Sequence, residues 1–116
     1  MRPTTVTIYG ESGEPINVEA FTTATPGLVV HLSNGDPGWI VTHERSGLMV
    51  MGMENPEQAQ AAAADLAGAA DWTLSGGDIV GDRQVAYEVY SVGVKWGVGK
   101  WDVNENREAY ADRLSA

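Results

Sequence analysis

The sequence contains no cysteine among its 116 residues. Disulfide bonds, thiolate metal ligands and cysteine nucleophiles are therefore excluded. There is also no run of about 18 apolar residues, which is the length that a membrane-spanning helix needs. The first segment, MRPTTVTIYG, lacks the apolar stretch that follows the basic residue of a secretory signal peptide. From these absences we expect a cytoplasmic protein.

Positive charge is scarce as well. Seven Lys and Arg residues stand against 16 Asp and Glu residues, which gives a net charge of −9. This balance argues against a monomer surface that binds the phosphates of nucleic acid. The acidic residues are spread along the chain and form no acidic tail. Apolar residues make up 43% of the chain, which is typical of a globular protein, and the length predicts a single domain over residues 1–116.

The first two thirds of the chain are rich in the alternating pattern of β-strands. Val6 and Ile8, for example, alternate with threonines, and such a period of two predicts a half-buried strand. Clusters of Gly, Pro, Asn and Ser separate the alternating segments and predict turns. The predicted strands cover residues 4–9, 16–23, 28–32, 39–44 and 48–53.

The last two of these strands are predicted to form a hairpin. Trp39, Val41 and His43 fall on one face of the first strand. A three-residue loop, Arg45-Ser46-Gly47, is predicted to close the hairpin with Gly47 in the left-handed region. The returning strand, LMVMGM, is apolar on both faces. It is therefore predicted to be central in the sheet, with Met49, Met51 and Met53 on one face beneath a helix.

The strongest local signal in the sequence marks the start of a helix. Asn55 is a favoured N-cap, Pro56 suits the first helical position, and Gln58 stands where a capping box places Glu or Gln. We expect this helix to run from Pro56 to about residue 68 or 70. Its predicted buried stripe consists of Ala59, Ala62, Ala63 and Leu66.

Residues 82–96 allow two interpretations. Four valines favour a strand, but polar residues recur at spacings of four, three and four from Gln84 to Lys95, which is typical of an amphipathic helix. We predict a second helix. Residues 101–116 are predicted to form a peripheral helix or a tail. The predicted fold class is α+β, an antiparallel sheet of four to five strands with the Ala-rich helix on one face and one or two C-terminal helices.

The motif W-x-V-T-H-x-x-S-G at residues 39–47 precedes an apolar strand, the Ala-rich helix and Asp71-Trp72-Thr73. Over residues 28–73 this pattern resembles small uncharacterised proteins of actinobacteria and their bacteriophages. The resemblance implies a phage or mobile-element setting in a bacterial cytoplasm. The hairpin and helix also resemble, in architecture alone, the β-β-β-α DNA-binding arms of tyrosine recombinases. Those sheets present basic residues to DNA, whereas this stretch offers only Arg45 and two histidines.

Candidate catalytic groups are few. His31 and His43 are the only histidines, and a metal or acid–base site would need them to converge with a carboxylate such as Asp36 or Glu44. No serine lies in a G-x-S-x-G motif, and the Gly-rich segment 75–81 lacks the Lys-Ser/Thr ending of a phosphate-binding loop. We expect structural histidines and no catalytic, metal or cofactor site.

Methionines and tryptophans are candidates for a binding surface. Met side chains adapt to different partners, and Trp is enriched in interface hot spots. The predicted partner-binding residues are Trp96, Trp101, Met49, Met51, Arg45 and His43. We therefore expect a non-enzymatic protein that binds a host or partner protein or self-associates.

Two other classes of function are kept as alternatives. One is association with nucleic acid, either as an acidic mimic or through a sheet face that bears Arg45 and the histidines. The other is a hydrolytic or metal enzyme that uses His31 or His43.

Overall fold

The computed structural model of the protein describes residues 1–10, 12–33, 38–76 and 83–96. These residues form five strands, two α-helices and one short 3-10 helix. The elements are β1 (Pro3–Tyr9), β2 (Pro15–Thr22), β3 (Leu28–Leu32), β4 (Trp39–His43), β5 (Leu48–Met53), α1 (Pro56–Asp65), a 3-10 helix (Leu66–Gly68) and α2 (Arg83–Trp96). No helix within the described ranges has the length and apolar character needed to cross a membrane.

The five strands form one antiparallel sheet in which each strand pairs with its neighbour in sequence, in the order β1-β2-β3-β4-β5. α1 packs on one face of this sheet, and α2 follows it in the chain. The predicted α+β fold class is therefore confirmed. The prediction of a helix, not a strand, over residues 82–96 is also confirmed, with α2 beginning at Arg83. Residues 101–116 lie outside the described ranges.

The β1–β2 hairpin leaves the plane of the sheet. β1 and β2 pair along seven positions, whereas β2 meets β3 at only two, Phe21 with Val30 and Thr22 with Val29. Beyond these pairs the hairpin curls back over the face opposite α1. There Val6 and Ala20 form a small buried cluster with Val29. The sheet is thus covered by helices on one face and by its own first hairpin on the other.

β5 corrects two of the predictions. It is an edge strand and not a central one, since it pairs with β4 alone among the described residues. A bulge also interrupts its alternation: Val41 pairs with Met51 and Thr42 with Met49, so Val50 is an extra residue on β5. Met51 therefore faces α1, as does Met53, but Met49 lies on the opposite face. The three methionines do not form the single core face that was predicted.

The start of α1 is as predicted. Asn55 is the N-cap, and its side-chain oxygen accepts a hydrogen bond of 2.8 Å from the backbone N–H of Gln58. Pro56 occupies the first turn, where its missing N–H costs nothing. The α-helix ends at Asp65, earlier than predicted, and the 3-10 helix carries the chain on to Gly68.

The main core lies between the sheet and the helices. The predicted stripe of alanines and Leu66 is fully buried there, and the small alanine side chains let α1 lie close to β3 and β4. Trp72 closes one end of this core, and Val89 of α2 contributes from the side. The sheet contributes Leu28, Val30, Val41, Met51 and Met53.

Candidate functional site

The β4–β5 turn contacts two segments that are distant from it in sequence. His43 pairs with Leu48, so the turn has four residues, 44–47, and not the predicted three. The backbone N–H of Gly47 donates to the carbonyl of His43 at 2.8 Å. Gly47 has φ +72, as predicted, and a Cβ there would stand 2.3 Å from the carbonyl oxygen of Thr7. The turn therefore touches β1, and only glycine fits at the contact.

His43 ties this turn to the segment that follows the 3-10 helix. Its Nε2 lies 2.8 Å from the carbonyl oxygen of Trp72 and 2.9 Å from that of Leu74. Carbonyl oxygens only accept hydrogen bonds, so Nε2 carries the proton. Nδ1 then accepts from the hydroxyl of Ser46 at 2.6 Å. We call His43, Ser46, Trp72 and Leu74 the His43 junction.

Trp72 is the second anchor of the junction. Its indole N–H donates to the carbonyl of Leu66 at 2.8 Å, and the side chain is buried. Gly27, with φ +92, lies so close to the Trp72 carbonyl that a Cβ would come within 2.3 Å of it. The neighbouring Asp71 accepts from both the hydroxyl and the backbone N–H of Thr73, and these bonds lower the pKa of its carboxyl group. Backbone and side chains together therefore fix this loop against β3 and β4.

The junction brings together residues of the W-x-V-T-H-x-x-S-G stretch and of the Asp71-Trp72-Thr73 segment. His43, Ser46 and Gly47 come from W-x-V-T-H-x-x-S-G, and they meet the Asp71-Trp72-Thr73 segment through direct hydrogen bonds. Arg45 adds a bond of 3.0 Å from Nη1 to the Thr73 carbonyl. These residues therefore attach the β4–β5 hairpin to the 72–74 loop through hydrogen bonds.

The Ser46–His43 pair has the distance of a nucleophile and its base, but its surroundings differ from those of a hydrolase. Ser46 Oγ accepts a hydrogen bond of 3.1 Å from the N–H of Leu48, and the N–H of Gly47 is bound to the His43 carbonyl. An oxyanion hole needs backbone donors free to face a substrate oxygen. Here the adjacent donors hold the turn together, so the geometry favours a structural role for the pair.

His31 lies on the opposite face of the sheet. It follows Val30, which faces α1, so its own side chain points toward the first hairpin. Its Nδ1 donates to the Leu32 carbonyl at 2.8 Å, and its Nε2 accepts from the Thr42 hydroxyl at 2.7 Å. The sheet separates the two histidines, so they cannot bind one ion. Within the described part of the chain no three His, Asp or Glu side chains are grouped as metal ligands.

The predicted partner-binding residues are not all at the surface. Met51 is 1% exposed and belongs to the core, and His43 is 3% exposed with both ring nitrogens bonded. Neither is available to a partner in this conformation. Met49, which the bulge turns away from α1, is 41% exposed, and Arg45 is exposed in the β4–β5 turn.

Trp96 is half-buried at the end of α2. Its indole N–H donates to the carboxylate of Asp65 at 2.8 Å, and the Lys95 ammonium lies 2.9 Å from the same oxygen. These two hydrogen bonds lower the pKa of Asp65, the one from Lys95 most strongly. Trp96 thus attaches α2 to α1, with part of its ring exposed. Trp101 lies outside the described residues, and its role stays a prediction.

Three exposed apolar residues near the β4–β5 turn were not among the predicted ones. Leu48 is 50% exposed, and Tyr9 and Leu74 are exposed as well. Tyr9 reaches the turn at Gly47, Leu48 borders Gly76, and the backbone of Leu74 is part of the His43 junction. Their exposure depends on the edge position of β5 and on the curl of the first hairpin, which no local sequence pattern reports. We call Tyr9, Leu48, Met49 and Leu74 the hairpin-end surface.

In comparisons with protein-family models, with curated proteins and with solved structures, the chain matches none.

Proposed function

We propose that this is a non-enzymatic interaction protein of phage or mobile-element type, which binds a partner protein in a bacterial cytoplasm through the hairpin-end surface. The observation that carries the proposal is the concentration of exposed apolar side chains around one turn. When a partner covers large apolar groups that were exposed to water, the free energy of the system falls. The phage setting rests on the resemblance of residues 28–73 alone.

The rigidity of the frame supports this assignment. His43 and Arg45 bond to the 72–74 loop, and Gly47 rests against β1, so the hairpin end is held from two sides. A surface that is already ordered loses less conformational entropy when it binds. The apolar area that Leu48 and Met49 bury against a partner can therefore add to the binding affinity with little entropic loss. The flexible side chain of Met49 can also adapt its shape to a partner.

The non-enzymatic part of the proposal is supported by the way the polar groups are used. His43, Ser46 and the neighbouring N–H groups bond to one another and to the loop. His31 is bonded on the other face. A catalytic site instead needs groups that meet a substrate.

The test is affinity capture from a bacterial host lysate with the tagged full chain and two variants. Leu48→Ser with Met49→Ser removes apolar area from the hairpin-end surface, and Leu32→Ser with Val94→Ser removes it from exposed positions elsewhere. We expect the first variant to lose a captured protein that both the wild type and the second variant retain. Equal recovery with all three proteins would contradict the proposal.

A further inference from the structure

The methionines of β5 differ in their exposure to solvent. Met49 is 41% exposed, whereas Met51 and Met53 on the same strand are 1% and 8% exposed and lie in the main core. The bulge at Val50 causes this difference, because strict alternation without the extra residue would place all three side chains on one face. One strand therefore presents the same thioether group both to water and to the core.

A methionine side chain in contact with water is open to oxidation by peroxides. Hydrogen peroxide transfers one oxygen atom to the thioether: an S–O bond forms, the O–O bond breaks and water leaves. The sulfur is thereby oxidised by two electrons and the peroxide is reduced, and the product, methionine sulfoxide, is polar. At Met51 or Met53 this reaction requires the structure to open first, because peroxide must reach a sulfur in the core. At Met49 it requires no opening.

We propose that Met49 is the residue of β5 at which a peroxide oxidises the folded protein, and that its sulfoxide weakens binding at the hairpin-end surface. The inference rests on the proposed function, since it names a regulation of the same surface. The sulfoxide replaces an apolar contact group with a polar one, which loses its water when a bound protein covers it. Met49 lies on the face away from α1, so its oxidation leaves the packing of the main core unchanged. Reduction of the sulfoxide by methionine sulfoxide reductases restores the thioether, so the change is reversible.

The first experiment is limited oxidation of the purified full chain with hydrogen peroxide, followed by tandem mass spectrometry to locate the added oxygen. We expect Met49 to react at least about tenfold faster than Met51 and Met53, with no change in the circular dichroism spectrum. Met1, which is 82% exposed at the start of the chain, is the internal reference for a freely accessible methionine. In urea the three methionines of β5 should react at one rate. Equal rates in the folded protein, or loss of the fold on oxidation of Met49, would overturn the inference.

A matched pair of variants tests the effect on binding. Met49→Leu keeps the size and apolar character of the side chain but cannot be oxidised, and Met51→Leu makes the same change in the core. The wild type and both variants are treated with peroxide, freed of it and used for capture from host lysate beside their untreated forms. We expect oxidation to reduce recovery of the protein that the hairpin-end surface captures for the wild type and for Met51→Leu, and to leave recovery unchanged for Met49→Leu.

The outcomes separate this inference from the proposed function. Equal recovery by the oxidised wild type and the oxidised Met49→Leu variant would overturn the regulation, while loss of capture with Leu48→Ser and Met49→Ser would still support the proposed function. Retention of capture by that serine variant would contradict the proposed function, and with it the effect on binding, while faster oxidation of Met49 would still identify the modification site.

Discussion

The two faces of the sheet are covered in different ways. On one face α1, Leu66 and Trp72 cover a core built from side chains that are distant in sequence. On the other face the β1–β2 hairpin covers a smaller cluster around Val6, Ala20 and Val29. The core on the first face draws its side chains from Phe21 to Trp96, whereas the apolar cluster on the second face comes from the first 30 residues alone. The helix-covered face therefore holds the tertiary structure together, and the hairpin-covered face is closed locally.

Each face also contains one buried histidine, and the two have different partners. His31 bonds to its neighbour Leu32 and to Thr42 on the adjacent strand, so it strengthens pairing within the sheet. His43 bonds to carbonyls 29 and 31 residues away, so it attaches a separate loop. A buried histidine on a strand can thus stabilise either the pairing of strands within the sheet or the attachment of a loop outside it. Its place in the sequence does not distinguish the two roles.

Truncation of Trp72 should show the difference between the faces most strongly. We expect Trp72→Ala to lower the free energy of unfolding by about 3–5 kcal/mol, because a large buried side chain leaves a cavity. Val6→Ala on the other face removes two methyl groups and should cost about 1–2 kcal/mol. Urea denaturation followed by circular dichroism measures both. Equal losses would contradict the ranking of the two faces.

Removal of each histidine should give the next largest effect. His43→Ala leaves the carbonyls of Trp72 and Leu74 without their donor, and we expect a loss of about 2–3 kcal/mol. His31→Ala removes bonds within the sheet, where the strand ladder persists, and we expect about 1–2 kcal/mol. Only the His43 variant should also make the 72–74 loop accessible to limited proteolysis. Cleavage of that loop in the His31 variant would argue that the two histidines are not separate in function.

The helix cap provides a smaller test of the same comparison. Asn55→Ala removes the acceptor for the N–H of Gln58, and we expect a cost of about 1 kcal/mol. Asn55→Asp keeps an acceptor and should be close to neutral. On the hairpin side, Asn17→Ala removes an exposed hydrogen bond with Thr7 and should change the free energy of unfolding by no more than about 0.5 kcal/mol. Thermal or urea unfolding of the three variants ranks them.

The smallest effect concerns the carboxylate that joins α1 to α2. The pKa of Asp65 is held below its ordinary value of 3.8 by hydrogen bonds from Lys95 and Trp96. A lowered pKa in the folded state means that the ionised group stabilises the fold above pH 3.8. This contribution is lost as the pH falls from there through the lower folded value. The effect should stay below about 1 kcal/mol, since the site is open to solvent.

Asp65→Asn should remove this dependence on pH. We expect the difference in unfolding free energy between wild type and variant to shrink as the pH falls below 3.8. Urea unfolding at a series of pH values measures it. A difference that grows toward acid would have the wrong sign for this assignment.

Local features of the fold could be predicted from the sequence. Alternation and short apolar runs located the five strands, and the Asn55 cap and the alanine stripe located α1 and its buried face. The polar spacing in 82–96 correctly outweighed the strand preference of its valines. These signals are informative because each depends only on residues that are close together in the sequence.

Features that depend on distant segments could not be predicted. Strand order placed β5 at an edge, although its two apolar faces suggested a central strand. The bulge at Val50 carries no glycine or proline signal, so the separation of Met49 from Met51 was not visible. The histidines were expected to be hydrogen-bonded within the fold, but the partners of His43 lie in a loop whose position only the folded chain determines.

The sequential order of the strands has a consequence for how the chain reaches this structure. Every strand finds its neighbour a short distance along the chain, and low sequence separation between contacts generally permits fast folding. The meander can therefore assemble as a ladder of successive hairpins. The loop that carries Trp72 follows the strands in the chain and contacts His43 of β4 and Gly27 before β3. During synthesis, the early hairpins can form before the last helix has been made.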